Sequence, residues 1–168
     1  MNKMQEIKLD KVVLNIAVGN DEAKLTKAMK LLEIITGRKP IKTLAKKRIA
    51  AFKIRPGLPI GCKVTLRKSK AKEMLIKLLE GVENKILAKQ FNERGFSFGI
   101  KEYIQVPSIP YQRDIGILGF DVSVVFKKPG YRIQKRKIKP KKISKRHFIG
   151  KKELMEYAQK KFDIKIEK

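Results

Sequence analysis

The segment Cys62-Lys63-Val64-Thr65-Leu66-Arg67 alternates strictly between apolar and polar side chains. Because successive residues of a β-strand point to opposite faces of a sheet, this segment predicts a strand with one apolar face and one cationic face. Residues 7–18 alternate in the same way, with apolar side chains at every second position from Val12 to Val18. Half-buried strands of this kind favour an antiparallel sheet that is covered on one face only.

Apolar residues at helical spacing predict three helices around these strands. The first follows the break at residues 19–21 and stops at Gly37, the second carries the apolar residues of 74–82, and the third spans 154–162. Further strands are predicted after Gly95, extending to Ile104, and at residues 120–126. Residues 40–55 form either two short strands or one irregular strand.

These elements predict an α+β fold, in which an antiparallel β-sheet has helices packed on one face. A basic C-terminal extension and a short terminal helix complete the chain. With 168 residues, the chain is long enough to bury a hydrophobic core and is expected to be a single domain. Its parts are an α+β core at residues 1–126 and the extension with its helix at residues 127–168.

The net charge of +26 is confined to two segments that contain no acidic residue. Residues 34–72 and residues 122–152 each hold 13 Lys and Arg, while basic and acidic residues balance in the rest of the chain. A solubilising surface intersperses both signs, whereas a field of one sign attracts a polyanion. Nucleic acid is the polyanion that this pattern favours.

Lys63, Thr65 and Arg67 recur at period two, about 7 Å apart along the strand, so they can reach successive phosphates or ribose hydroxyls. Asn15 is expected on the same open face. The alternative is a solvated charged face, but such a face has no reason to exclude carboxylates. An acidic membrane is a weaker alternative, because the second acid-free segment contains Pro129, Gly130 and Pro140 and its apolar residues do not form a helical stripe.

An enzyme is not expected, because the chain contains one histidine and one cysteine. A zinc site requires about four ligands, and His147 has no acid partner between Asp121 and Glu153. Cys62 alternates with apolar residues, so it is interpreted as a core residue. The sequence therefore predicts no catalytic residue, no metal and no cofactor. It contains neither a signal peptide nor an apolar run that could span a bilayer, which indicates a soluble intracellular protein.

Two aromatic residues and the basic tract leave alternatives open. Phe52 and Tyr131 could stack on unpaired bases or cap the edge of the core. Residues 131–152 are expected to be loosely structured alone and ordered on a partner. The basic residues proposed to contact RNA in this tail are Arg132, Lys135, Arg136, Lys137, Lys141, Lys142, Lys145 and Arg146.

Several ordered motifs carry a resemblance to a known family. They are Leu14–Gly19, Thr36–Pro40, Ala51–Arg67, Phe98–Glu102 and Gly119–Asp121. In order and spacing they resemble the universal large-subunit ribosomal protein five family, whose members bind 5S ribosomal RNA. Residues 128–131 and the basic tract after them look like the archaeal and eukaryotic type of this family.

The resemblance implies a structural constituent of the large ribosomal subunit, located in the cytoplasm on the ribosome. It implies contacts with 5S rRNA in the central protuberance, with large-subunit rRNA and with neighbouring ribosomal proteins. One of these neighbours is a small-subunit head protein, to which the chain forms a bridge. The chain itself is expected to be a monomer within the ribosome and to bind no membrane. The positions matching RNA contacts are Asn15, Lys42, Arg48, Lys53, Lys63, Thr65 and Arg67. The loop matching the segment near the P-site tRNA elbow is Arg55, Pro56, Gly57, Leu58, Pro59, Ile60 and Gly61.

Overall fold

The alternating segments form a six-stranded antiparallel sheet in the computed structural model, which describes residues 2–107 and 109–167. The strands are β1 Lys8–Ala17, β2 Ile41–Leu44, β3 Pro59–Leu66, β4 Lys85–Leu87, β5 Phe91–Asn92, β6 Gly95–Ile100, β7 Phe120–Lys127 and β8 Lys165–Glu167. The sheet order is β2-β3-β1-β7-β6-β5, and β4 pairs in parallel with β8. The predicted α+β class is confirmed.

The helices are α1 Glu22–Thr36, α2 Lys68–Glu80, α3 Arg132–Lys135 and α4 Lys151–Phe162. The signals at both ends of α1 are those that the sequence predicts. The Asp21 carboxylate accepts a hydrogen bond of 3.0 Å from the Lys24 N–H, which caps the first turn and lowers the pKa of Asp21. Gly37 ends the helix in the left-handed region, with φ of 60°.

One face of the sheet is covered by helices and forms the hydrophobic core. The residues that point to this face are buried along each long strand, as in Val12, Leu14 and Ile16 of β1. Helix α1 packs against β3, and α2 packs against β1. Helix α4 covers the far end of β7, where the ring of Phe126 lies 5.7 Å from that of Tyr157. The opposite face of the sheet carries no helix among the described residues.

Some boundaries differ from the prediction. Ile104 lies in a 3-10 turn beyond β6, and residues 40–55 form one short strand followed by a turn bracketed by the Ile49–Ile54 bridge. Strand β3 begins at Pro59, so Pro59, Ile60 and Gly61 belong to the strand rather than to the loop. The short strands β4, β5 and β8 were not predicted, because two or three residues are too few to show a period. No helix in the described ranges is long and apolar enough to cross a membrane.

Candidate nucleic-acid interface

The uncovered side of the sheet, here called the open face, presents a row of residues that crosses five strands. Strand register places Lys63 of β3 opposite Asn15 of β1, and Asn15 opposite Asp121 of β7. The same row ends at Ile41 on one side and Gly99 on the other. Directly opposite residues share a face, so the amide, the ammonium and the carboxylate all point to solvent on the open face.

A second row on the open face is small and uncharged. Thr65 of β3 lies opposite Val13, which lies opposite Ser123 of β7, and Ser123 lies opposite Ser97 of β6. Short side chains leave the backbone accessible, so a broad, shallow partner can approach the sheet closely. The register therefore brings Asn15, Lys63 and Thr65 together on one surface, as the sequence predicts.

Two of the predicted contact residues lie elsewhere. Lys42 pairs with Cys62, so it shares the face that the helices cover and is exposed only because β2 is the edge strand. Arg67 follows the last residue of β3 and is the N-cap residue of α2, in extended backbone conformation. Its backbone is still extended and its side chain is exposed at the end of the sheet, so an RNA contact by Arg67 stays a prediction.

The loop between β2 and β3, residues 45–58, is shaped by its own backbone. The Ala45 N–H donates to the Leu58 carbonyl at 2.8 Å, and Ile49 and Ile54 exchange two hydrogen bonds of 3.0 Å. Within this frame a 3-10 turn places Phe52 at the tip, where its side chain is 69% exposed. Phe52 therefore does not cap the core, and base stacking stays a prediction. The exposed cations of the loop are Lys46, Lys47, Arg48, Lys53 and Arg55.

The second acid-free segment leads into the basic tract, residues 128–150, which is held by a buried ion pair at its start. The Lys128 ammonium is only 8% exposed and lies 2.8 Å from a carboxylate oxygen of Glu153 on α4. A buried charge needs such a partner, because an unpaired one loses its hydration without compensation. This pair fixes the point at which the chain leaves β7.

An aromatic cluster holds the rest of the basic tract against the turn between β5 and β6. Phe148 lies 4.7 Å from the guanidinium carbon of Arg94, and Tyr131 lies 6.1 Å from Phe148 between ring centroids. The His147 Nε2–H donates to the Pro129 carbonyl at 2.7 Å. Tyr131 thus packs against the protein, and burial raises the pKa of its hydroxyl. All eight basic residues predicted in the tail are exposed.

The two acid-free segments form two separate basic regions. Residues 34–72 supply β2, β3 and the loop at one edge of the sheet, whereas residues 122–152 supply β7 and the tract beyond its far end. Strand β1 separates them, and Asp121 stands on the open face just before the second segment. The expectation that the docking surface excludes carboxylates is therefore wrong at one position. The alternation of β7 was the signal that would have placed Asp121 and Ser123 on this face.

Among residues 2–107 and 109–167, no group of three or more His, Cys, Asp or Glu side chains is placed to hold a metal ion. Cys62 is fully buried in β3, and burial raises the pKa of its thiol to about 11, which keeps it protonated and unreactive. The prediction that Cys62 is a core residue is confirmed. His147 is engaged with the Pro129 carbonyl, and its own segment, residues 122–152, contains no acidic residue.

An open polar sheet face beside two basic regions is typical of the class of proteins that bind polyanions. Two family models match the chain, one for ribosomal protein L5 at residues 2–55 and one for the C-terminus of the same ribosomal family at residues 59–157. The large ribosomal subunit protein uL5 of Nanoarchaeum equitans is 47% identical over 164 residues, which cover 97% of each chain. That of Methanosphaera stadtmanae is 46% identical over 168 residues, covering 99% of this chain and 100% of the relative. The chain belongs to the ribosomal protein L5 family.

Family membership makes this protein a structural ribosomal protein and not an enzyme, and RNA binding is typical of the family. It is located on the ribosome, in the cytoplasm. The resemblance read from the ordered motifs is therefore confirmed. A third relative, the large ribosomal subunit protein uL5 of Thermoplasma volcanium, is 48% identical over 168 residues and covers 99% of each chain. The basic tract thus lies within the length that these relatives share.

Proposed function

We propose that this protein is a constituent of the large ribosomal subunit that binds 5S rRNA in the central protuberance through its open face and the adjoining loop. The observation that carries the proposal is the nearly full-length similarity to large-subunit proteins. The geometry supplies a suitable surface, because Asn15, Lys63 and Thr65 lie on one uncovered sheet face. Amide, ammonium and hydroxyl groups at strand spacing suit phosphates and ribose hydroxyls in a shallow RNA groove.

The remaining contacts are proposed for the two basic regions. Arg48 and Lys53 in the β2–β3 loop contact rRNA, and the loop residues from Arg55 to Leu58 lie near the elbow of the P-site tRNA. Lys42 and Arg67 contact rRNA from the sheet edge and from the start of α2, respectively. The basic tract binds large-subunit rRNA. The chain acts as a monomer beside other ribosomal proteins, and one of these is a small-subunit head protein to which it bridges.

The proposal is tested by the binding of the purified chain to transcribed 5S rRNA. Its logarithmic affinity is expected to fall linearly with the logarithm of salt concentration, because each neutralised phosphate releases a counterion. Duplex DNA, an unrelated structured RNA and acidic vesicles serve as competitors. Equal competition by all of them would contradict specific 5S binding, and an affinity that does not change with salt would contradict the phosphate contacts.

A matched pair of variants locates the surface. Lys63→Gln removes a charge from the open face, whereas Lys30→Gln removes one from the exposed side of α1. Lys63→Gln should weaken 5S binding and Lys30→Gln should not. Equal effects of the two lysine substitutions would show that only net charge matters.

A third variant tests the end of the sheet. Arg67→Ala is expected to weaken 5S binding by about 1–3 kcal/mol because a charge-assisted hydrogen bond is removed.

A further inference from the structure

The carboxylate of Asp121 stands at the centre of a surface that is proposed to bind a polyanion. It is exposed in the middle of the open face, between Asn15 on β1 and Gly99 on β6. Among residues 2–107 and 109–167, no ion pair or side-chain hydrogen bond includes it. A carboxylate repels nearby phosphates, even in water. Its presence therefore needs a compensating contact.

The RNA groups that can compensate a carboxylate are hydrogen-bond donors, because phosphates only accept. One Asp121 oxygen leans over Gly99 and lies 3.5 Å from the point that a Cβ of this glycine would occupy. The carboxylate therefore projects over bare backbone, where a neighbouring side chain does not cover it. A nucleotide placed over Gly99 would meet the carboxylate from the side.

The surface beside Asp121 is concave. A hollow of about 430 Å³ is lined by Asn15, Ala17, Lys101, Gly119 and Asp121, among others. The hollow is shallow and open to solvent, so it can be entered from the uncovered side of the sheet. A Cβ at Gly119 would lie 2.6 Å from the Lys101 carbonyl oxygen, so only glycine fits where these two backbone segments meet beside the hollow. Gly99 and Gly119 both line the hollow without a side chain, so a planar base can approach the backbone at these two positions.

The polar groups around the hollow match one base best. Guanine presents N1–H and N2–H₂ side by side, and these two donors suit the two oxygens of one carboxylate, as in other bidentate pairs. Its O6, next to N1–H, accepts a hydrogen bond, and two residues whose side chains carry donors, Lys101 and Asn15, are among those that line the same hollow. Adenine, cytosine and uracil offer no such pair of adjacent donors on the Watson–Crick edge.

We propose that Asp121 receives the Watson–Crick edge of an unpaired guanine of the bound RNA, in the hollow over Gly99 and Gly119. The inference rests on the proposed binding of rRNA at the open face. Unpaired bases whose edges are hydrogen-bonded by side chains are the usual means of sequence-specific RNA recognition. Asp121 is then a specificity determinant, while the surrounding lysines and arginines supply affinity that does not depend on sequence.

The test uses the sign of the charge effect. Asp121→Asn raises the net charge by one, so simple electrostatics predicts tighter binding to every nucleic acid. The guanine contact predicts the reverse for 5S rRNA, a loss of about ten- to hundredfold, with unchanged or tighter binding to duplex DNA. Glu156→Gln, an exposed substitution on α4 with the same charge change, is the control and should not weaken 5S binding. Unchanged thermal unfolding of both variants confirms their fold.

The base is identified by nucleotide-analogue interference, in which inosine replaces single guanines and removes N2–H₂. Wild-type protein should show interference at a guanine where Asp121→Asn shows none. Tighter or equal 5S binding by Asp121→Asn would overturn the inference. The proposed function would remain intact in that case if the wild-type protein still binds 5S rRNA in preference to the competitors. Suppose instead that 2′-deoxy substitutions interfere with wild-type binding but not with Asp121→Asn binding, while inosine interferes with neither. This result would also overturn the inference, in favour of a ribose hydroxyl. Wild-type binding with no preference for 5S rRNA would overturn both.

Discussion

The β2–β3 loop and the basic tract are alike in charge and opposite in anchoring. Both are free of acidic residues, and both expose their cations, with the exception of Lys128 in the tract. In the loop, Ala45 is the one buried residue of 45–58, and backbone hydrogen bonds fix the shape. The tract is anchored by side chains, with Lys128 buried at its start and Ile149 1% exposed at its end.

The difference teaches that charge composition predicts where cations are exposed and says little about how the segment that carries them is held. A loop held by backbone pairing can expose all of its cations, and also an aromatic ring at its tip. A tract held by side chains must keep a few residues for the core and can expose only the rest. Four sets of substitutions separate these two designs, from the largest expected effect to the smallest.

Ile149→Ala should lower the free energy of unfolding by about 2–5 kcal/mol, because it leaves a cavity in the core where the tract joins α4. Ile138→Ala is the matched control, since Ile138 lies in the same tract and is 76% exposed. Its effect should stay within about 0.5 kcal/mol. Urea denaturation measures both variants, and a single cooperative transition is expected for the whole chain. Equal effects would mean that the tract is not anchored at Ile149.

Glu153→Gln should lower the free energy of unfolding by about 1–3 kcal/mol, because it leaves the buried Lys128 ammonium without its counter-charge. The value is set below that of a fully buried pair because the Glu153 side chain is 45% exposed. Glu156→Gln makes the same change at an exposed position of the same helix. Urea denaturation measures both variants. If Glu153→Gln and Glu156→Gln lower the free energy of unfolding equally, the ion pair does not anchor the tract.

Phe52→Ala should weaken RNA binding by about 1–3 kcal/mol if the exposed ring stacks on a base. Stability should change by no more than about 0.5 kcal/mol, because the ring buries little area in the free protein. Phe52→Tyr keeps an aromatic face and should bind as the wild type does. Fluorescence anisotropy with labelled 5S rRNA measures both. Wild-type affinity of the alanine variant would exclude stacking at the loop tip.

Lys46→Gln with Lys47→Gln should reduce the slope of logarithmic affinity against logarithmic salt by up to about two, one for each phosphate that is no longer neutralised. Lys27→Gln with Lys30→Gln makes the same charge change on the exposed side of α1 and should leave the slope unaltered. The salt series is measured with 5S rRNA. If the two pairs change the slope alike, the loop is no more a phosphate-binding site than the rest of the surface.

The sequence predicted most of the sheet because its long strands alternate without interruption, as β1, β3 and β7 do. It also predicted the caps of α1, where Asp21 and Gly37 act through local backbone geometry. The location of Lys42 and Arg67 could not be predicted in the same way. The face of Lys42 depends on register with β3, and the position of Arg67 depends on where β3 gives way to α2. Both are set by pairing and packing between segments distant in sequence.

The contacts that anchor the basic tract could not be predicted from the sequence for a related reason. Tyr131, His147 and Phe148 have no periodicity that marks them as packed, and their partner Arg94 lies on a turn far away in the chain. The expectation of a loosely structured tract followed from composition alone. The ion pair of Lys128 with Glu153 joins residues 25 positions apart, which neither helical nor strand periodicity connects.

Ultraviolet cross-linking of the full chain to 5S rRNA, followed by mass spectrometry of the linked peptides, tests most directly whether RNA docks on the open face. We expect cross-links to peptides of β1 and β3 that carry Asn15, Lys63 and Thr65, and to the loop that carries Phe52. Cross-links confined to the outer surfaces of α1 and α2, with none on the open face or the loop, would contradict this mode of binding.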